Sequence, residues 1–116
     1  METSFVLRNT SNGVALAQRV KRAGDPLSRG IGLLARGSVA PDEGLWIDRC
    51  AAVHTLGMRA VLDLYFLDRE GHVLGIVPNV RPQRFSVACR GARNVVELGA
   101  AGDERAVRIG DRLVLE

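Results

Sequence analysis

The apolar positions of this chain come in short bursts divided by turn-forming residues, the spacing of hairpins rather than of long helices. Residues 5–8 and 14–20 read as two strands. Between them Asn9-Thr10-Ser11-Asn12-Gly13 is turn chemistry, ending in the Asn-Gly pair that favours a tight hairpin. Val14, Leu16, Gln18 and Val20 then share one face at period two. Asp25-Pro26 is a helix start, because Asp caps and Pro fits the first helical position. A short helix is expected over residues 27–36, with Leu27, Ile31 and Leu34 on one side; Gly30 and Gly32 make it depend on packing. Leu45-Trp46-Ile47 is a short strand. Residues 60–67 form the strongest one, apolar on both faces and interrupted only by Asp63, the pattern of a central strand covered on both sides. Asp68-Arg69-Glu70-Gly71 is a hairpin turn into a partner strand over 72–77. Residues 93–98 make another strand, with Val96 and Leu98 on one face and Val95 on the other. A helical turn is expected over 99–104, then a tight turn at Ile109-Gly110-Asp111 into a last strand over 112–115.

About seven short strands and one short helix describe a mainly-β fold, a sandwich or barrel-like structure. Nothing alternates in the βαβ manner, which argues against a doubly wound nucleotide-binding sheet. At 116 residues the chain fits a single domain, 1–116. With 47% hydrophobic and 25% charged residues it falls among ordinary globular proteins, not disordered or coiled-coil ones. No apolar run approaches the roughly 20 residues of a bilayer span. Residues 1–12 hold no apolar core of a secretory signal, so a cytoplasmic location is expected. The two cysteines, Cys50 and Cys89, then stay reduced, and their spacing fits neither a redox pair nor a zinc knuckle.

Charge changes the picture locally rather than in total. The net charge is only +3, but residues 71–96 carry no acid while Arg81, Arg84, Arg90 and Arg93 fall there. Such a patch attracts anions. It lacks interleaved aromatics and any recognised nucleic-acid motif, which argues against nucleic acid as the partner.

One stretch concentrates chemistry: Cys50, His54, Thr55, Met58 and Asp63, with Arg59 among them. Three accounts compete. Cys50, His54 and Met58 at steps of four would share a helix face as soft metal ligands, but the segment leads into a strand, where such residues lie about 13 Å apart. No metal site is therefore assigned. Cys50 as nucleophile with His54 as base and Asp63 orienting the imidazole is the enzymatic account. In the structural account Cys50 and Met58 fill core, and Asp63 is a buried carboxylate bonded to main chain or paired to an Arg. A pocket lined by these groups for an unidentified ligand is compatible with the last.

The order and spacing of several landmarks resemble the domain of unknown function 192 family. They are Arg29 to Arg36, Pro41-Asp-Glu-Gly44-Leu-Trp46, Val53-His54-Thr55 with Met58, Leu62-Asp63-Leu-Tyr-Phe66-Leu-Asp68, Arg93 to Leu98 and Ile109-Gly110-Asp111. The resemblance covers about 28–116, with 1–27 a hairpin leading into it, and is to the subgroup with Cys and His-Thr in the middle stretch. It implies a compact, mainly-β fold with a short helix, and no activity, cofactor or catalytic residue. The function expected is a small β domain that binds a ligand or protein partner without catalysis, using Cys50 to Asp63 and the nearby arginine arm. The alternatives are an enzyme using Cys50 and His54, and an assembly module presenting an edge strand.

Overall fold

Turn chemistry folds the first ribbon. In the computed structural model, which describes residues 3–23, 37–53, 59–81, 87–102 and 105–116, Asn9 N–H donates to the Val14 carbonyl and Gly13 N–H to the Asn9 carbonyl at 2.9 and 2.7 Å. Gly13 takes a φ of 80°, which a residue without Cβ adopts at no steric cost. This hairpin joins β1 (Phe5–Asn9) to β2 (Ala15–Ala23). Then follow β3 (Glu43–Asp48), β4 (Ala52–Val53), β5 (Leu62–Leu67) and β6 (Val73–Val80). β7 (Val87–Ala88), β8 (Asn94–Gly99) and β9 (Leu113–Leu115) complete the order.

Seven strands make one sheet in the order β6-β5-β8-β3-β2-β1-β9, and β4 pairs with β7 separately. Among the described residues only β2 and β3 pair in parallel. The outer strands of the large sheet meet. His72 bridges Arg112, Val73 N–H donates to the Asp111 carbonyl at 2.8 Å, and Leu113 N–H donates to the Gly71 carbonyl at 2.9 Å. The sheet thus closes on itself there as a barrel. One buried cluster takes a side chain from each of its strands: Leu7, Val20, Trp46, Tyr65, Val73, Val96 and Leu113. A second layer lies outside. Leu62, Leu64, Phe66 and Val95 turn away from the barrel interior and pack with Val53 of β4 and Val87 of β7. All six residues of β5 are buried, so the continuous apolar run is a strand covered on both faces, with Val95 and Val96 on opposite sides of its neighbour.

Two expectations are corrected. Among the described residues every regular element is a strand and none is a helix, so the mainly-β class stands without its short helix. The segment 27–36 expected to supply that helix lies outside the described residues, as do residues 103 and 104 of the expected helical turn; Gly99 of that stretch instead ends β8. Second, β2 does not keep period two. It buries Ala17, Val20 and Ala23 while Val14 is 41% exposed. Two register shifts against β1 rotate successive side chains between faces, as bulges do. Among the described residues no helix is long and apolar enough to cross a membrane.

Candidate anion-binding site

Asp63, singled out by its place in an apolar strand, points into the barrel and is 2% exposed. Its Oδ1 accepts from Asn79 N–H at 2.8 Å; its Oδ2 accepts from Ala101 N–H at 3.1 Å and from Arg105 Nη1 at 2.9 Å. The same guanidinium reaches the Tyr65 hydroxyl and donates to the carbonyls of Pro41 and Gly99. It also lies 5.8 Å from the Tyr65 ring centroid, within cation–π range. Every oxygen of this carboxylate is satisfied by main chain and an arginine. Burial pushes the Tyr65 hydroxyl up, opposed by its hydrogen bond from Arg105. Arg105 lies 42 residues along the chain from Asp63, and no pattern in the sequence links the two.

A different group gathers where β2 and β3 end, β8 begins and the β5–β6 turn reverses. Arg22 on β2 grips Asp48 with both nitrogens of its fork, Nε to Oδ2 at 2.8 Å and Nη2 to Oδ1 at 3.0 Å. Trp46 adds its indole N–H to Oδ1 at 3.1 Å. The pair holds the Asp48 carboxyl below its usual range and raises Arg22 above its own, mainly through those hydrogen bonds. Arg49 follows at a φ of 53°, a left-handed turn. Beyond it, Cys50 N–H reaches the Arg93 carbonyl at 2.8 Å. Asn94 clamps both sides: its Oδ1 accepts from Arg49 N–H, and its amide donates to the Asp68 carbonyl.

These loops frame a cavity of about 470 Å³ lined by Arg22, Arg49, Arg69 and Arg93, with Trp46, Asp48 and Cys50 among its other walls. Four guanidinium groups face one carboxylate, and that carboxylate is engaged by Arg22. Arg49, Arg69 and Arg93 make no salt bridge among the described residues, though Arg49 adds to the charge that holds the Asp48 carboxyl down. A smaller cavity of about 190 Å³ shares Arg22, Trp46 and Arg69 and adds Glu70 and β9 residues Leu113 to Leu115.

The expected site residues are thus distributed unevenly. Cys50 and Arg93 meet in the cleft. Asp63 is committed to Arg105, at the far end of β5 from the turn that frames the cleft. Arg81 follows the distal end of β6 and Arg90 sits in the turn before Arg93, both exposed. His54, Thr55, Met58 and Arg84 lie outside the described residues. Arg22, Arg49 and Arg69 were not anticipated, because the barrel topology alone brings them together. Burial pushes the Cys50 thiol up, and its Sγ–H donates to the Ala52 carbonyl at 3.0 Å. That is the reverse of the shift that activates a cysteine nucleophile.

Two further groups merit placing. Glu97 on β8 is 3% exposed between Leu45 and Leu64, and burial pushes its carboxyl up to about 7. Asp68, Glu70 and His72 bring potential ligand atoms within 4.8 Å of one another. Asp68 Oδ1 there accepts from the N–H groups of Glu70 and His72 at 2.9 Å each, which is the capping of a tight turn.

A closed seven-stranded sheet with a two-stranded cover and an arginine-lined cleft defines a small β-barrel domain. The chain belongs to the DUF192 family, described as an uncharacterized ACR, whose profile matches residues 7–115. It is similar to a solved structure from Sinorhizobium meliloti 1021 described as a "putative transcription regulator", with 29% identity and a TM-score of 0.82 over 98% of this chain and 95% of that one. It also matches in fold a protein of unknown function from Novosphingobium aromaticivorans DSM 12444, at 19% identity and a TM-score of 0.79 over 97% and 84% of the two chains. No curated protein sequence matches the chain.

Proposed function

We propose that this protein is a binding module for an anionic ligand, held in the arginine cleft at the end of the barrel. One observation carries the proposal: Arg49, Arg69 and Arg93 line one concave cavity and make no salt bridge among the described residues. Guanidinium groups kept together repel one another, and an anion between them relieves that repulsion through charge-assisted, forked hydrogen bonds. Arg22 and Asp48 act as the frame, their bidentate pair fixing one wall. Cys50 and Arg93 are the two sequence-expected residues the proposal retains. The protein is taken to act in the cytoplasm, where its free thiols at Cys50 and Cys89 remain reduced.

The description of the Sinorhizobium relative raises nucleic acid as a rival ligand. A small molecule is the better fit, because these arginines converge on a cavity instead of spreading along a face that could follow a backbone.

Thermal melting tests the proposal. Phosphate is expected to raise Tm more than chloride at equal ionic strength. At ten times Kd the gain is about 1.4 kcal/mol, several degrees for a domain of this size. Phosphate also stabilises proteins generally by exclusion from their surface. The deciding comparison is therefore Arg49→Ala/Arg93→Ala, in which the gain over chloride is expected to fall to that general effect. An equal gain in both proteins would overturn the proposal.

A further inference from the structure

The cleft is larger than an inorganic anion needs, and it is not uniform. Its volume is about 470 Å³, and it opens to solvent. Its smaller neighbour is different in character. It shares Arg22, Trp46 and Arg69 with the main cavity, so the two are lobes of one depression. Its remaining wall is apolar at Leu113 to Leu115, and its added charge is the carboxylate of Glu70. Leu113 belongs to the barrel's apolar interior, Leu115 packs partly buried against it, and Trp46, 7% exposed, lines both lobes. This lobe measures about 190 Å³ and opens to solvent.

We infer that the ligand is an amphipathic organic anion: an anionic head between Arg49, Arg69 and Arg93, and an apolar or aromatic body against Trp46 and β9. The inference rests on the anion-binding reading of the same cleft and assigns the second lobe to it. Electrostatics fix the direction of binding. The main lobe sets four guanidinium groups against the single, already engaged Asp48, whereas the second lobe sets only the shared Arg22 and Arg69 against Glu70, so a negative head is favoured in the main lobe. Head and body therefore do not exchange places. Burying a ring against leucine and indole removes apolar surface from water, which an inorganic ion cannot do.

Calorimetric titration with two probes, inorganic phosphate and phenyl phosphate, separates this inference from the one beneath it. In the parent protein phenyl phosphate is expected to bind at least tenfold more tightly than inorganic phosphate. Arg49→Ala/Arg93→Ala is expected to lose both probes. Leu115→Gln is expected to keep inorganic phosphate and lose most of the preference for phenyl phosphate. Leu115 pairs with Leu7, so that variant risks destabilising the barrel. The indole N–H resonance of Trp46 in the unmodified protein supplies an independent readout. Phenyl phosphate is expected to move it by ring-current contact well beyond any change caused by inorganic phosphate. Equal affinities for the two probes, both dependent on Arg49 and Arg93, would overturn the two-lobed inference and leave anion binding standing. An indole resonance that responds alike to both probes would overturn it in the same way. Failure of both probes to bind the parent protein would overturn both readings, and binding of inorganic phosphate alone would overturn only the two-lobed inference.

Discussion

Asp63 and Glu97 are buried carboxylates on neighbouring strands, and their surroundings treat them oppositely. Asp63 has three donors, one of them the guanidinium of Arg105, itself only 7% exposed. Asp63→Asn keeps the shape but strands that buried cation, and is expected to cost roughly 3 kcal/mol or more. Asp63→Leu is expected to cost more, since the Asn79 and Ala101 amides lose their acceptor too. Denaturant titration of the three proteins measures this, and midpoints equal to the parent's would show that Arg105 is not held by Asp63. For Glu97 burial favours the protonated form, with a folded value of about 7 against an ordinary 4.5. Between those values the folded state holds a proton that the unfolded state releases, so stability falls as pH rises through that window. At about 1.4 kcal/mol per tenfold change in proton affinity, the loss is roughly 3 kcal/mol. Urea titrations at pH 4.5 and pH 8 are expected to show this loss in the parent and little of it in Glu97→Gln; the same loss in both would place the pH dependence elsewhere. The sequence exposed Asp63 because it interrupts an apolar run, but its partner was hidden 42 residues away. Glu97 sits in an equally apolar run, Val95-Val96-Glu97-Leu98, and the same signal could have found it.

At the scale of elements, strands with unbroken patterns were legible and strands shaped by their neighbours were not. β5 was readable because burial on both faces demands an apolar residue at nearly every position. The β5–β6 turn was readable because Asp68 and Gly71 meet the needs of a tight reversal. β4 and β7 have two residues each, too few to carry any period. The faces of β2 were misread because bulges against β1, invisible in one strand's own sequence, reset its alternation. The closure of β6 on β9 was likewise absent from local pattern and depends on one position. Gly71 has a φ of 92°, and a Cβ there would lie 2.5 Å from the Leu113 carbonyl oxygen. Gly71→Ala therefore combines left-handed strain of order 1–3 kcal/mol with pressure on the seam. Hydrogen exchange is expected to quicken at the Leu113 and Val73 amides, which bond across the seam, more than at the amides of β8. Unchanged protection at Leu113 would mean that the seam does not depend on Gly71.

For the whole molecule, topology rather than any motif builds the candidate site. Arg22, Arg49, Arg69 and Arg93 come from four separate stretches, and only the joining of β2 to β3, of β3 to β8 and of β8 to β5 brings them to one cavity. The acid-free run over residues 71–96 pointed to an anion surface, yet of its described arginines Arg93 alone lines the cleft. Arg81 and Arg90, exposed like the arginines of the cleft, do not line it. Cys50 was noticed for its thiol, whereas its position beside Arg49 is what places it in the cavity wall. The central claim is that this cleft, and not the arginine-rich surface at large, takes the anion. Two-dimensional NMR of the arginine Nε–H groups during a phosphate titration tests it most directly, because each guanidinium reports for itself. The account predicts saturable shifts at Arg49, Arg69 and Arg93, with smaller ones at Arg22 and the Trp46 indole, while Arg8, Arg19 and Arg81 change little. Shifts spread evenly over the exposed arginines, or largest at Arg81 and Arg90, would contradict it.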